Sequence, residues 1–349
     1  MSDGPTLNGF RRIEAAVAGE WPDRRPVMLH NFMHATREAG LRMKDYYSSG
    51  AAAARVHREA VERYELDGIM LDIDTAVLAE AAGAQVDHPQ DLPPRVLRPM
   101  EGTLAEAADR PQPDLAACQR VQVWLEAASR LKEYFGDEVY LRGNCGQAPF
   151  SLASMIRGPE RWMLDLVDDE AAAFCLLDYC LEVSLQFVRL MIGQGVHMIS
   201  NGDRPAGPDL TISPLMFRRF ARPYEERLCA FAHENGLPYL MHIGGKTDGI
   251  LRDFSDMGLD AVELDDKTDE HAVHDTLAED VTLFGNLDPT GVLTHGTPQY
   301  VEDVVLDLLQ LYADSPRLVL NAGCAIPPDA PPENIRRMVY VAHNFPVGE

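Results

Sequence analysis

Two histidines, two cysteines and a set of acids and amides recur at one kind of position in this 349-residue chain, at or just after the end of a short apolar run. In chain order they are His30, Asp72 and Asp74, Asn144 and Cys145, Asn201 and Asp203, His242, Asp265, Asn286 with Asp288, and Cys324. Asn and Asp also cap helices, which explains one or two of them. Two His and two Cys in the same set point instead to ligand or proton-transfer chemistry. A neutral imidazole and a thiolate are good zinc donors. His242 and Cys324 supply one of each, and Asp265 is placed to be the third ligand. Glu263 shares a strand face with Asp265 but lies deeper. The alternative is that His242 hydrogen-bonds a substrate and Cys324 is a small rim residue. Asp72 and Asp74 also share a face, so each carboxylate raises the other's pKa and needs a partner. Arg37 and Arg42 are the nearest cations by sequence.

The elements that must position these groups are legible as an alternation. Eight short apolar runs, Val27–Asn31, Gly68–Asp74, Val139–Cys145, His197–Asp203, Pro238–Ile243, Ala261–Asp265, Val281–Asn286 and Arg317–Gly323, read as strands of a covered parallel sheet. Between them lie helical patterns at Tyr46–Tyr64, Asp114–Phe135, Glu160–Gly193, Pro214–Asn235, Thr247–Met257, Pro298–Ala313 and Pro332–Asn344. Ser213-Pro214 opens one of these and Asn235-Gly236 closes it. The pattern predicts an α/β fold, a (β/α)8 TIM-type barrel with an N-terminal extension and rim insertions. A doubly wound sheet is the runner-up. One domain spans 1–349, with an extension over 1–24 and a Pro- and Asp-rich rim excursion over 84–113. In such a barrel the strand ends meet at one mouth, which is where the polar set falls.

Composition bounds the remaining possibilities. The chain is 46% hydrophobic and 25% charged, as in globular proteins. Its 55 acidic and 31 basic residues give a formal charge of −24, which argues against nucleic-acid and anionic-membrane partners. No apolar run is read as approaching the roughly 20 residues of a membrane span. Met1–Phe10 has no apolar core of a signal peptide, so a cytoplasmic location is the default expectation. The six cysteines show no CxxC pair and no disulfide spacing. There is no GxGxxG after the first strand and no Walker A sequence.

From about residue 25 to 345 the chain resembles the uroporphyrinogen decarboxylase superfamily, which includes zinc-dependent corrinoid methyltransferases. The stretches that carry the resemblance are Asp67-Gly-Ile-Met-Leu-Asp-Ile-Asp74 with Glu80-Ala-Ala-Gly83, Gln147-Ala-Pro-Phe-Ser-Leu152, Ile212-Ser-Pro-Leu-Met-Phe217 with Pro223-Tyr224, Gly285-Asn-Leu-Asp-Pro289 and Asn321-Ala-Gly-Cys-Ala-Ile-Pro-Pro328. The decarboxylases' Arg-Gln-Ala-Gly-Arg motif aligns with Arg37-Glu-Ala-Gly-Leu41, so one arginine of two remains. Their catalytic Asp matches Asp74, their Tyr falls on Met155 and their His on Cys324. The methyltransferase branch has a His-x-Cys motif and a later Cys for zinc. Here His242 and Cys324 match, and Gly244 stands where the middle Cys would be.

The resemblance therefore implies methyl transfer between a small methylated compound or carrier and a corrinoid cofactor held on a partner protein. Zinc would sit on His242, Cys324 and Asp265 or His30. Asp74, Asp203 or Glu263 would move protons, Arg37 is a further catalytic candidate, and His30, Asn144, Asn201 and Met155 would contact substrate. A homodimer is expected because dimers are common in this superfamily. Two alternatives stand beside this reading: a metal-free decarboxylase or lyase on a small acid, using Arg37 and Asp74, and a non-catalytic binding barrel.

Overall fold

In the computed structural model, which describes residues 6–208 and 211–348, the eight apolar runs are eight parallel strands. They are β1 (Met28–Leu29), β2 (Gly68–Leu71), β3 (Tyr140–Gln147), β4 (Met198–Gly202), β5 (Tyr239–Ile243), β6 (Ala261–Leu264), β7 (Thr282–Leu287) and β8 (Leu318–Ala322). They pair in chain order, and Val27 bridges in parallel to Leu320, bringing the last strand back to the first. This is the expected barrel. The first five residues of the N-terminal extension lie outside the described residues.

Period-two alternation sorts the interior into layers. The lowest is apolar: Met28, Met70, Tyr140, Met198, Leu240, Ala261, Phe284 and Val319 pack with Ile13 and Ala16 of the helix Gly9–Ala18. The extension thus closes the barrel floor. Each large apolar side chain buried there contributes about 2 kcal/mol, which offsets the desolvation of the layer above. Two residues further along the same strands stand His30, Asp72, Arg142, Ser200, His242 and Glu263. The polar layer is the direct consequence of residue parity within the strands.

Several helical patterns divide where a polar residue prefers to cap. Tyr46–Tyr64 splits at Ser49, which is extended (φ −146°, ψ 116°) and accepts from the Ala52 N–H. Glu160–Gly193 splits at Asp169, which caps Glu170–Ile192 through the Ala172 N–H. The helix expected over Pro214–Asn235 widens to a π-turn at Phe217–Ala221 just before Pro223, which lacks the N–H a regular turn would use. One reading is corrected: Glu170–Ile192 is 23 residues long and apolar enough to cross a membrane by length and composition. Its apolar side, including Leu176, Leu177, Phe187 and Met191, is buried in the core. The rim excursion holds a hairpin, Gln85–Asp87 against Arg95–Arg98, and a short helix, Leu104–Ala108.

Candidate active site at the barrel mouth

A cavity of about 380 Å³ opens at the C-terminal ends of the strands. His30, Asp72, Asp74, Asn144, Met155, Asn201, His242 and Cys324 of the expected site all line it, joined by Arg142, Gln147, Arg204 and Pro93. Pro93 comes from the rim excursion and closes one wall.

Its floor is a charged network centred on Glu263, which is fully buried. Glu263 accepts from His30 Nδ1 at 2.8 Å and lies 3.3 Å from His242 Nδ1. Arg142 forms an ion pair with its other oxygen and donates Nε to Ser200 Oγ at 2.8 Å. On its far side His30 donates Nε2 to Asp72 at 2.9 Å, and Asn144 donates to the same carboxylate. Burial pushes the His30 imidazole down, but Glu263 and Asp72 outweigh it and hold it well above its usual range. Burial likewise pushes Glu263 up, and Arg142, His242 and His30 reverse this. The floor is therefore a fixed lattice of charges, with His30 an imidazolium between two carboxylates.

Above the floor His242 faces Cys324. Burial alone would raise the Cys324 thiol, but the neighbouring His242 ring and its charge bring it below the usual thiol range. His242 is raised, with Glu263 and Cys324 overcoming its desolvation. The arrangement favours a thiolate beside an imidazolium, with Glu263 behind.

Other expected residues lie elsewhere. Arg37 is exposed on the helix Phe32–Glu38, whose buried face is Phe32, His34, Ala35 and Thr36, so its side chain leaves the barrel. Arg42 reaches Gln90 on the rim instead of the paired acids. Asp74 is held by Arg120, which also binds Glu80. Arg120 belongs to the helix Gln119–Phe135, and nothing in the sequence linked it to Asp74. Asp203 does not line the cavity; it accepts from Ser151 N at 3.0 Å and sits fully buried beside Glu225. Burial raises Asp203 to about 6. Cys145 is fully buried within β3, on the opposite parity from Asn144, and burial raises its thiol. Asn201 donates to the Cys145 carbonyl at 3.1 Å.

The zinc expectation meets a donor set of two. Asp265 accepts from the backbone N–H groups of Gly245 (3.0 Å) and Lys267 (3.3 Å), so it closes the turn after β6 and does not line the cavity. His30 has both ring nitrogens engaged with carboxylates. Among the described residues no group of three His, Cys, Asp or Glu side chains is placed to hold a metal. At Gly244 the space for a side chain is taken: a Cβ there would lie 3.0 Å from Arg204 Cγ and 3.4 Å from its Nε. A cation thus stands where a third anionic donor would be needed. The residues present do not fit a three-donor zinc site.

The pattern of the family described as uroporphyrinogen decarboxylase (URO-D) matches residues 9–345. The methylcobamide:CoM methyltransferase MtbA of Methanosarcina acetivorans is 29% identical over 65% of this chain; the match takes in 64% of that protein's length, under two thirds of it. MtaA of Methanosarcina barkeri, another methylcobamide:CoM methyltransferase, is 27% identical over 96% of this chain and 97% of its own. The uroporphyrinogen decarboxylase of Mycobacterium tuberculosis is 29% identical over 95% and 96% of the two chains. A solved methyltransferase from Methanosarcina mazei superposes with a TM-score of 0.86 at 24% identity over 96% of this chain and 98% of that one, which supports the barrel fold.

Proposed function

The chain belongs to the uroporphyrinogen decarboxylase family, and on that premise we propose that it moves a methyl group between a small methylated compound and a corrinoid carried by a partner protein. The observation that carries this reading is the line Cys324–His242–Glu263 at the edge of the cavity. A heteroatom nucleophile must lose its proton before it can take a methyl group, and this line is a place to put that proton.

The residues divide the work. An acceptor X–H lies against Cys324, and the thiolate takes its proton. Cys324 becomes a thiol while His242 stays protonated, its imidazolium stabilised by Glu263. The lone pair on X then forms the X–CH₃ bond as the cobalt–carbon bond breaks, its electron pair remaining with cobalt. The reverse direction uses the same groups, with the Cys324 thiol returning the proton to the leaving heteroatom. His30, Arg142 and Asp72 are positioning residues that fix Glu263 and the cavity floor. No step is assigned to zinc, because the donor set does not fit it.

The lyase alternative loses its anchor in this geometry, since Arg37 is outside the cavity and Asp74 is already neutralised by Arg120. The test is demethylation of free methylcobalamin with a small thiol as acceptor, followed by the change in cobalamin absorbance. His242→Ala and Cys324→Ser should each slow the reaction about 100-fold, the usual worth of a positioned acid–base group. Variants as fast as the wild type would remove the proposed chemistry from this site.

A further inference from the structure

Of the polar residues at the strand ends, Asn286 and Asp288 do not line the cavity around Cys324. They line a second pocket, of about 500 Å³, among the loops after β5, β6 and β7. Asn286 is 6% exposed, and among the described residues its side chain makes no hydrogen bond. A buried amide without a partner is costly until something fills the gap. Asp288 accepts the Thr290 and Gly291 N–H groups on Oδ1, at 2.8 and 2.9 Å, and Oδ2 has no such partner among the described residues. Asp266 lines the same pocket from the loop after β6. Burial and the neighbouring carboxyls of Asp265 and Asp288 push its carboxyl up to about 6, so negative charge is crowded there. Lys246 and Lys267 line the pocket as well, but among the described residues neither forms an ion pair with Asp266 or Asp288. Lys267 reaches only Asp265, at 3.9 Å.

We propose that Asn286, Asp288 and Asp266 form a site for a hard divalent cation of calcium's kind, which clamps the loop after β6 to the loop after β7. The donors are all oxygen: the Asn286 amide oxygen, Asp288 Oδ2 and the Asp266 carboxylate. Such cations take oxygen ligands in irregular geometry and complete their shell with water. A formal charge of −24 concentrates cations at the surface, where this pocket opens. Three protein donors, one of them on the exposed Asp266, make a weak site, with a dissociation constant on the order of 0.1–1 mM. None of the three lines the cavity around Cys324, so the ion takes no part in methyl transfer and the site does not depend on that reading.

Terbium(III) takes the same oxygen donors and is the probe, because a nearby tyrosine sensitises its emission and Tyr300 lines the pocket. In the wild type, terbium emission should saturate, and calcium should displace the probe. D266N and D288N should each weaken terbium binding about tenfold, the loss of one charged ligand. Lys246→Gln should tighten it by removing a like charge. Tyr300→Phe should abolish the sensitised emission while calcium still raises the melting temperature, which locates the ion beside residue 300. Asp288 also caps the turn that follows it, so D288N can unfold that turn. The exposed Asp266 has no such duty, and D266N reads the site on a folded chain. Emission that never saturates in the wild type, that survives Tyr300→Phe, or that D266N leaves unchanged would overturn the site.

Discussion

At the scale of single residues, parity did most of the visible work. His30, Asp72, His242 and Glu263 each stand two positions beyond an apolar residue of the barrel floor, so their inward direction was readable from the chain. The same rule would have turned Cys145 outward, since it neighbours the inward Asn144. It also turns Arg142 and Ser200 inward, below the strand ends where the polar set is concentrated. Arg120 and Arg204 were not legible: which cation meets Asp74, or crosses Gly244, depends on tertiary packing. Asp203 gives a prediction of its own. Its carboxyl titrates near 6 in the folded chain against 3.8 ordinarily, because burial disfavours the charged form. Across that window the folded state holds more protons than the unfolded one, so this residue's contribution to stability falls as pH rises from about 4 to 6 and stays low above it. Asp203→Asn should therefore raise the melting temperature relative to wild type more at pH 7 than at pH 4. Parallel melting curves against pH for the two proteins would show that Asp203 is not held protonated.

At the scale of elements, the strands were legible to within three residues at each end and the loops between them were not. The apolar runs named the eight strands because a parallel sheet covered on both faces needs continuous apolar sequence. The loop after β5 shows the limit. His242-Ile-Gly-Gly245 read as an incomplete metal motif with Asp265 as the substitute donor, but Asp265 instead ties down the backbone of that loop. A turn with a left-handed glycine, Gly245 at φ 85°, needs an acceptor for its N–H, and the carboxylate across from it is the nearest one. Asp265→Ala should consequently cost about 1–2 kcal/mol of stability, the usual penalty for an unpaired buried donor. It should leave the rate of methyl transfer from bound substrate within about twofold of wild type, since a group outside the cavity supplies no transition-state contact. Denaturant unfolding and a saturated methyl-transfer assay read the two quantities. An unchanged stability with a collapsed rate would return Asp265 to the reacting centre.

At the scale of the whole molecule, the barrel brings residues from positions 30 to 324 into one cavity of about 380 Å³. The N-terminal helix seals the opposite end with apolar side chains. That polarity, floor below and chemistry above, explains why the class of fold was plain from composition and alternation while the reaction depended on a handful of contacts. On the proposed reaction, a corrinoid delivered by another protein would approach the rim formed by the loops after the strands. The most direct test uses methylcobalamin carrying a ¹³C-methyl group, with chelator-dialysed protein and 3-mercaptopropionate as acceptor, followed by NMR. The expected result is movement of the labelled methyl from cobalt to sulfur at a rate that chelation leaves unchanged. Transfer that appears only when zinc is restored would contradict the metal-free Cys324–His242–Glu263 chemistry, and a label that stays on cobalt under both conditions would contradict methyl transfer itself.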